Sequence, residues 1–227
     1  LILSNSNAQL VISQYAEEGD IKGIEIWNPT SSDVVLSSTN ALEIKVYANG
    51  ATTSPSTISD TTSTIAAGQV AVYADGGGGS GNAIWDNSSI TYTEANFNYN
   101  GNDAITISLA GTVLDVIGTV GVSSYWTENG VSTRDQNIAL KTGITTGSTS
   151  GWSDPSVRFE TIASKPLDSS AADAVNLSGF GVAPTGTDSG GDTGGGDTGG
   201  GDTGGGDTGG GDTGGGDTGG GDTGGGD

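Results

Sequence analysis

The 227 residues include no cysteine, histidine or methionine, and 27 acids stand against six bases for a net charge of −21. Without cysteine there are no disulfides or thiolate metal sites, and without histidine there is no Ser-His-Asp triad, no imidazole base and no imidazole zinc ligand. The six cations, Lys22, Lys45, Arg134, Lys141, Arg158 and Lys165, are scattered, which argues against a nucleic-acid groove, and no run approaches the roughly 20 apolar residues of a membrane helix.

The chain opens on Leu1-Ile2-Leu3-Ser4 followed by Ser6-Asn7-Ala8. An apolar run before small residues at −3 and −1 reads as the remnant of a secretory signal cleaved before Gln9; a short apolar strand is the alternative. With no initiating methionine and a last residue, Asp227, inside a repeat, the sequence reads as a piece of a longer, secreted chain.

Gln9–Tyr15 is short, rich in β-formers and partly alternating, which predicts a strand. Glu17-Glu18-Gly19-Asp20 reads as a polar turn. Lys22–Trp27 alternates, with Ile24 and Ile26 on one face and Glu25 and Trp27 on the other, and Asn28-Pro29 ends it. Val34–Leu36 and the alternating Leu42–Tyr47 are further strands, the latter closed by the turn signal Asn49-Gly50. The Ser/Thr-rich stretch from Thr52 to Thr64 reads as a loop. Gln69–Tyr73 is a fifth strand, Gly76–Gly79 a flexible loop, and Ala83–Asn96 either a short helix or irregular turns. Ala104–Leu109 and Val113–Ile117 form a hairpin across Ala110-Gly111-Thr112, and Asn137–Lys141 is a late strand. No stretch sustains a helical apolar period beyond about two turns. Seven or eight short strands with turn signals between them predict an all-β sandwich or barrel.

From Gly190 onward only Gly, Asp and Thr occur, with an aspartate at every fifth position from Asp192 to Asp227. Lacking apolar residues, this repeat has nothing to offset its ordering entropy; we expect a disordered acidic linker with a reach on the order of 35 Å. The expected organisation is a signal remnant over residues 1–8, a β-domain over 9–184 and a linker over 185–227.

Leu10-Val-Ile-Ser-Gln-Tyr15, Ile24-Glu-Ile-Trp-Asn-Pro-Thr30 and Val34-Val-Leu36 resemble the opening of bacterial lamin-tail-like domains. Phe97-Asn98, Asn100-Gly-Asn-Asp-Ala-Ile105 and Val113-Leu-Asp-Val-Ile-Gly118 resemble its second half, and Thr133–Lys141 and Leu177-Ser-Gly-Phe-Gly181 its final strands. The resemblance spans residues 9–182. It implies an immunoglobulin-like β-sandwich, a non-catalytic binding or structural module of the kind that accompanies secreted nuclease- or phosphatase-type hydrolases. Asn102, where the family usually has a second acid, and Ala139, near which it often has a base, depart from the pattern and put a shared ligand site in doubt.

Several residues invite a chemical reading. Glu25, mid-strand beside Trp27, reads either as a catalytic acid or as a structural carboxylate paired with Arg134, Lys141 or a loop backbone at a sheet edge. Asp103 and Asp115, flanking the hairpin, could share a calcium ion with Asp20, Glu17, Glu18 or Asp75, although no consecutive calcium-loop pattern is present; turn chemistry is the competing reading. Trp85, Tyr125 and Trp126 sit in Asn/Thr/Tyr-rich stretches and are the aromatic candidates for a ligand surface, against core packing as the commoner fate of tryptophan. Gly76–Ser80 lacks the context of a phosphate cradle. The expectation is therefore a secreted module with no catalytic residues and no cofactor other than calcium. Its partners would be a downstream domain of the same polypeptide and a surface polymer or protein. The alternative is a calcium- or carbohydrate-dependent cell-surface adhesion domain.

Overall fold

The computed structural model describes residues 9–53, 55–75, 82–86, 88–164 and 177–184. These lie within one unit, residues 1–189. The signal remnant, the Gly76–Gly79 loop and the glycine–aspartate repeat fall outside the described residues.

Among the described residues the fold is all-β apart from one short α-helix and two single-turn 3-10 helices, Ala48–Gly50 and Pro155–Val157. Its strands are β1 (Val11–Glu18), β2 (Ile21–Trp27), β3 (Val34–Val35), β4 (Leu42–Tyr47), β5 (Ser56–Asp60), β6 (Thr64–Ile65) and β7 (Val70–Ala74). The helix α1 (Asn82–Asp86) follows, then β8 (Thr93–Glu94), β9 (Ala104–Leu109), β10 (Thr112–Ile117), β11 (Thr127–Glu128), β12 (Val131–Ser132), β13 (Gln136–Leu140) and β14 (Phe159–Ser164). Six of them form one sheet in the order β14-β13-β1-β2-β7-β8. Four form a second, β10-β9-β4-β5, and the pairs β11-β12 and β3-β6 stand as small ladders.

The alternation read from the sequence sets the core. In β4, Leu42, Ile44 and Val46 are buried while Glu43, Lys45 and Tyr47 are half-exposed. Their apolar side joins Ile105 and Ile107 of β9 and Tyr15, Ile24, Ile26, Ile138 and Phe159 of the larger sheet in one hydrophobic cluster. Full burial of each aliphatic side chain is worth roughly 1.5–3 kcal/mol, so this cluster joins the two larger sheets. The hairpin between β9 and β10 turns at Ala110 and Gly111, whose φ angles of 48° and 80° match the left-handed turn that the strand twist favours.

The larger sheet is covered on its other face as well, which is why β2 is buried at every position. There, Ala16, Ile21, Val72 and Ala74 pack beneath Ile84 and Trp85 of α1 and beneath Leu177 and Phe180. Trp85 lies so close to β2 that a Cβ on Gly23 would stand 2.4 Å from its ring; this strand position admits only hydrogen.

Several expectations are corrected. The Thr52–Thr64 stretch holds β5, paired along its length with β4, and the start of β6. As an edge strand with largely exposed side chains, β5 carries no apolar alternation for the sequence to display. Glu17 and Glu18 belong to β1, and the turn is confined to Gly19-Asp20. The Ala83–Asn96 stretch, read as a short helix or irregular turns, begins with the helix α1 and adds the parallel strand β8, which the sequence does not predict. The strand β14 and the β11–β12 ladder were not anticipated. Leu177–Gly181, matched to a final strand by the resemblance, forms turns.

Candidate functional site

The residues with the most chemistry lie where residues 177–184 cross the outer face of the six-stranded sheet. Between β1 and β2 the register shifts so that Ile12 faces Ile26 and Gln14 faces Glu25, leaving Ser13 as an extra residue. Such a bulge re-aims side chains; here Ser13 and Gln14 both come to lie beside Glu25. The Ser13 hydroxyl bonds one Glu25 oxygen at 2.7 Å, and the Gly181 amide donates to the other at 2.6 Å. Gln14 Nε2 donates to Asn137 Oδ1 at 2.8 Å and to the Ser178 carbonyl at 2.7 Å, and Asn137 Nδ2 donates to that same carbonyl. Phe180 meets the Trp85 ring edge-on, with centroids 5.1 Å apart.

Glu25 is 1% exposed. Burial lifts its carboxyl to about 7, against the opposing pull of the Ser13 and Gly181 hydrogen bonds. It stands in β2, an interior strand, and pairs with neither Arg134 nor Lys141. The Arg134 guanidinium lies over the Tyr125 ring, 4.5 Å from its centroid, and Lys141 Nζ donates to the Ser156 carbonyl. The loop-backbone pairing expected from the sequence is the one present. A hollow of about 200 Å³ adjoins the site, lined by Glu25, Glu160, Thr142 and Gly179 among others. It is smaller than the roughly 300–1,000 Å³ of pockets that take a small-molecule ligand, and both oxygens of Glu25 are already engaged.

The calcium candidates are not brought together. Among the described residues no group of three acids is placed to hold a metal ion. Asp115 is buried in β10 and accepts from the amides of Ile12, Val116 and Ser148 at 3.0, 2.9 and 2.7 Å and from Arg158 at 3.2 Å. Burial raises its carboxyl above the usual range, with Arg158 and the three amides pulling the other way. Asp103 accepts from the amides of Asn49 and Asn100. Their oxygens are therefore spent on N–H donors, whereas calcium needs six to eight oxygens directed at one point. Asp20 lies at the β1–β2 turn.

Nor do the aromatic candidates form a platform. Trp85 and Trp126 are buried, as are Trp27 and Trp152, and Trp126 packs edge-on against Trp152. Tyr125 alone of the three is exposed, at 44%. Sequence reasoning missed Ser13, Gln14 and Asn137, because isolated Ser, Gln and Asn in strands carry no motif. Only the Ser-Gln pair interrupting the apolar run of Leu10-Val-Ile marked the spot.

Compared with family models, curated proteins and solved structures, the chain finds no match.

Proposed function

We propose that this chain is a non-catalytic binding or structural module of a secreted protein, an immunoglobulin-like sandwich of the lamin-tail kind. In this reading the glycine–aspartate repeat tethers the module to a hydrolase domain, so that the module raises the effective concentration of its neighbour at a surface or polymer. One observation supports the absence of catalysis above all. The five buried acids among the described residues, Glu17, Glu25, Asp60, Asp103 and Asp115, each accept at least one main-chain N–H. A buried carboxylate that holds a loop amide is a structural fastener, and a lone acid without a free oxygen or a metal does little acid–base work.

The test is hydrolysis of DNA, RNA and phosphomonoesters by the purified 227-residue chain with Mg²⁺ or Ca²⁺. The expected result is none. Turnover that co-purifies with the chain and is lost in Glu25→Gln or Glu160→Gln would overturn the reading.

A further inference from the structure

We propose that residues 177–184 form a pH-dependent strap, closed over the outer face of the six-stranded sheet when Glu25 carries a proton and loosened when Glu25 is ionised. The strap's apolar anchors are Leu177 and Phe180, both buried, with Phe180 edge-on against Trp85. Among the described residues its polar attachments converge: the Ser178 carbonyl on Gln14 and Asn137, and the Gly181 amide on Glu25. Of these, the Glu25 contact alone involves a group that changes charge.

The neutral acid fits the geometry as well as the anion does. A proton on the oxygen facing Ser13 is donated to the Ser13 hydroxyl, which then accepts, and the other oxygen still receives the Gly181 amide. Both contacts survive protonation. The anion keeps the same two contacts but carries a buried charge with no cation beside it among the described residues. No titratable side chain occurs in residues 177–184. Facing Glu25 are Ser13 and Gln14 from β1, Val72 from β7, and Ala139, Leu140 and Thr142 from β13 and the turn after it. Of the residues lining the hollow, Glu160 on β14 is the one other titratable group, and it is an acid. Opening the strap gives the carboxylate the water that closure denies it.

The sign follows from where the proton binds. The closed form holds the Glu25 proton up to about 7, against 4.5 for a solvated glutamate. Closure is therefore fully supported below pH 4.5, weakens across the window from 4.5 to 7, and levels off above it. Linkage between those two values gives roughly a 70-fold weaker closure at pH 8 than at pH 5.

The experiment is amide hydrogen exchange on the full 227-residue chain at pH 5, 6, 7 and 8, corrected for the intrinsic pH dependence of exchange. The Gly181 amide is compared with amides at the centre of β1 and β2. Protection of Gly181 is expected to drop by one to two orders of magnitude from pH 5 to 8 while the strand centres hold theirs. Glu25→Gln, whose amide keeps both contacts without a charge, is expected to hold the pH 5 protection at pH 8, and Glu160→Gln to leave the pH dependence as it is. A Gly181 amide equally protected at all four pH values overturns the proposal. So does a fall shared equally by the strand centres, or a pH dependence that persists in Glu25→Gln. Should Glu25→Gln fail to fold, the wild-type profile and Glu160→Gln still decide: loss of the pH dependence in Glu160→Gln would move the switch to Glu160 and refute the assignment.

Discussion

Replacing Asp115 by alanine removes the acceptor shared by three main-chain donors and one guanidinium. The donors come from different parts of the fold: Ile12 from β1 in the six-stranded sheet, Val116 from β10 in the four-stranded sheet, and Ser148 from the loop before β14. A buried donor left without a partner costs about 1–3 kcal/mol, so three of them set a ceiling near 9 kcal/mol. Water entering the vacated space would recover part of that. Arg158 also loses its partner, and breaking one side of a buried ion pair typically costs about 3–5 kcal/mol. We expect a loss of about 4 kcal/mol for Asp115→Ala, a large share of the 5–15 kcal/mol that stabilises a typical domain. Arg158→Met also breaks the pair, but it leaves all three amides satisfied, and the Asp115 carboxyl, which burial already pushes up, can take up a proton in place of the lost partner; it is expected to cost less, about 1.5–3 kcal/mol. Urea unfolding followed by tryptophan fluorescence measures both, since all four tryptophans are buried. A loss below about 1 kcal/mol for Asp115→Ala, or a larger loss for Arg158→Met, would show that this carboxylate is not what fastens the two sheets at β1.

Two further outcomes follow from the same contacts. Gly23→Ala places a methyl group 2.4 Å from the Trp85 ring; overpacking of that kind costs about 1–3 kcal/mol, and a melting temperature lower by roughly 5 °C in calorimetry is the expected reading. Asp60 is subject to burial, which would raise its carboxyl, but the Ser63 hydroxyl, the amides of Thr62 and Ser63 and the Tyr73 hydroxyl outweigh this and hold it below 3.8. Its contribution is present above 3.8 and lost as pH falls through the lower folded value, so urea midpoints between pH 2 and 5 should decline less steeply in Asp60→Asn than in the wild type.

The all-β class and most long strands were legible because one face of each strand is apolar: Ile24 and Ile26, Leu42 and Ile44, Ile105 and Ile107 report their own burial. The turn at Ala110-Gly111 was legible for an equally local reason, glycine's tolerance of positive φ. What local reading could not supply is partnership. Glu25 looks like an exposed face residue because it alternates with isoleucines, and only a second cover, drawn from residues 177–184, buries it. The bulge at Ser13 leaves no mark in composition. Ser56–Asp60 reads as a loop because an edge strand whose only apolar residue is Ile58 has no periodic signal. Asp103 and Asp115, read as ligands of one calcium ion, instead hold different segments of the chain, a division of labour set by three-dimensional proximity.

The position of β1 in its sheet has a bearing on how the chain folds. One flank of β1 is supplied at once by β2, but the other belongs to β13, about 120 residues further along. The amide of Ile12 likewise depends on residue 115, and the Glu25 carboxyl on residue 181. During synthesis the first hairpin emerges with an unpaired rim and an unshielded acid, long before its neighbours exist. Closing such distant loops is entropically slow, which places this chain among β-proteins that fold on millisecond-to-second timescales, and ribosome-stalled chains ending before β13 should be the aggregation-prone intermediates.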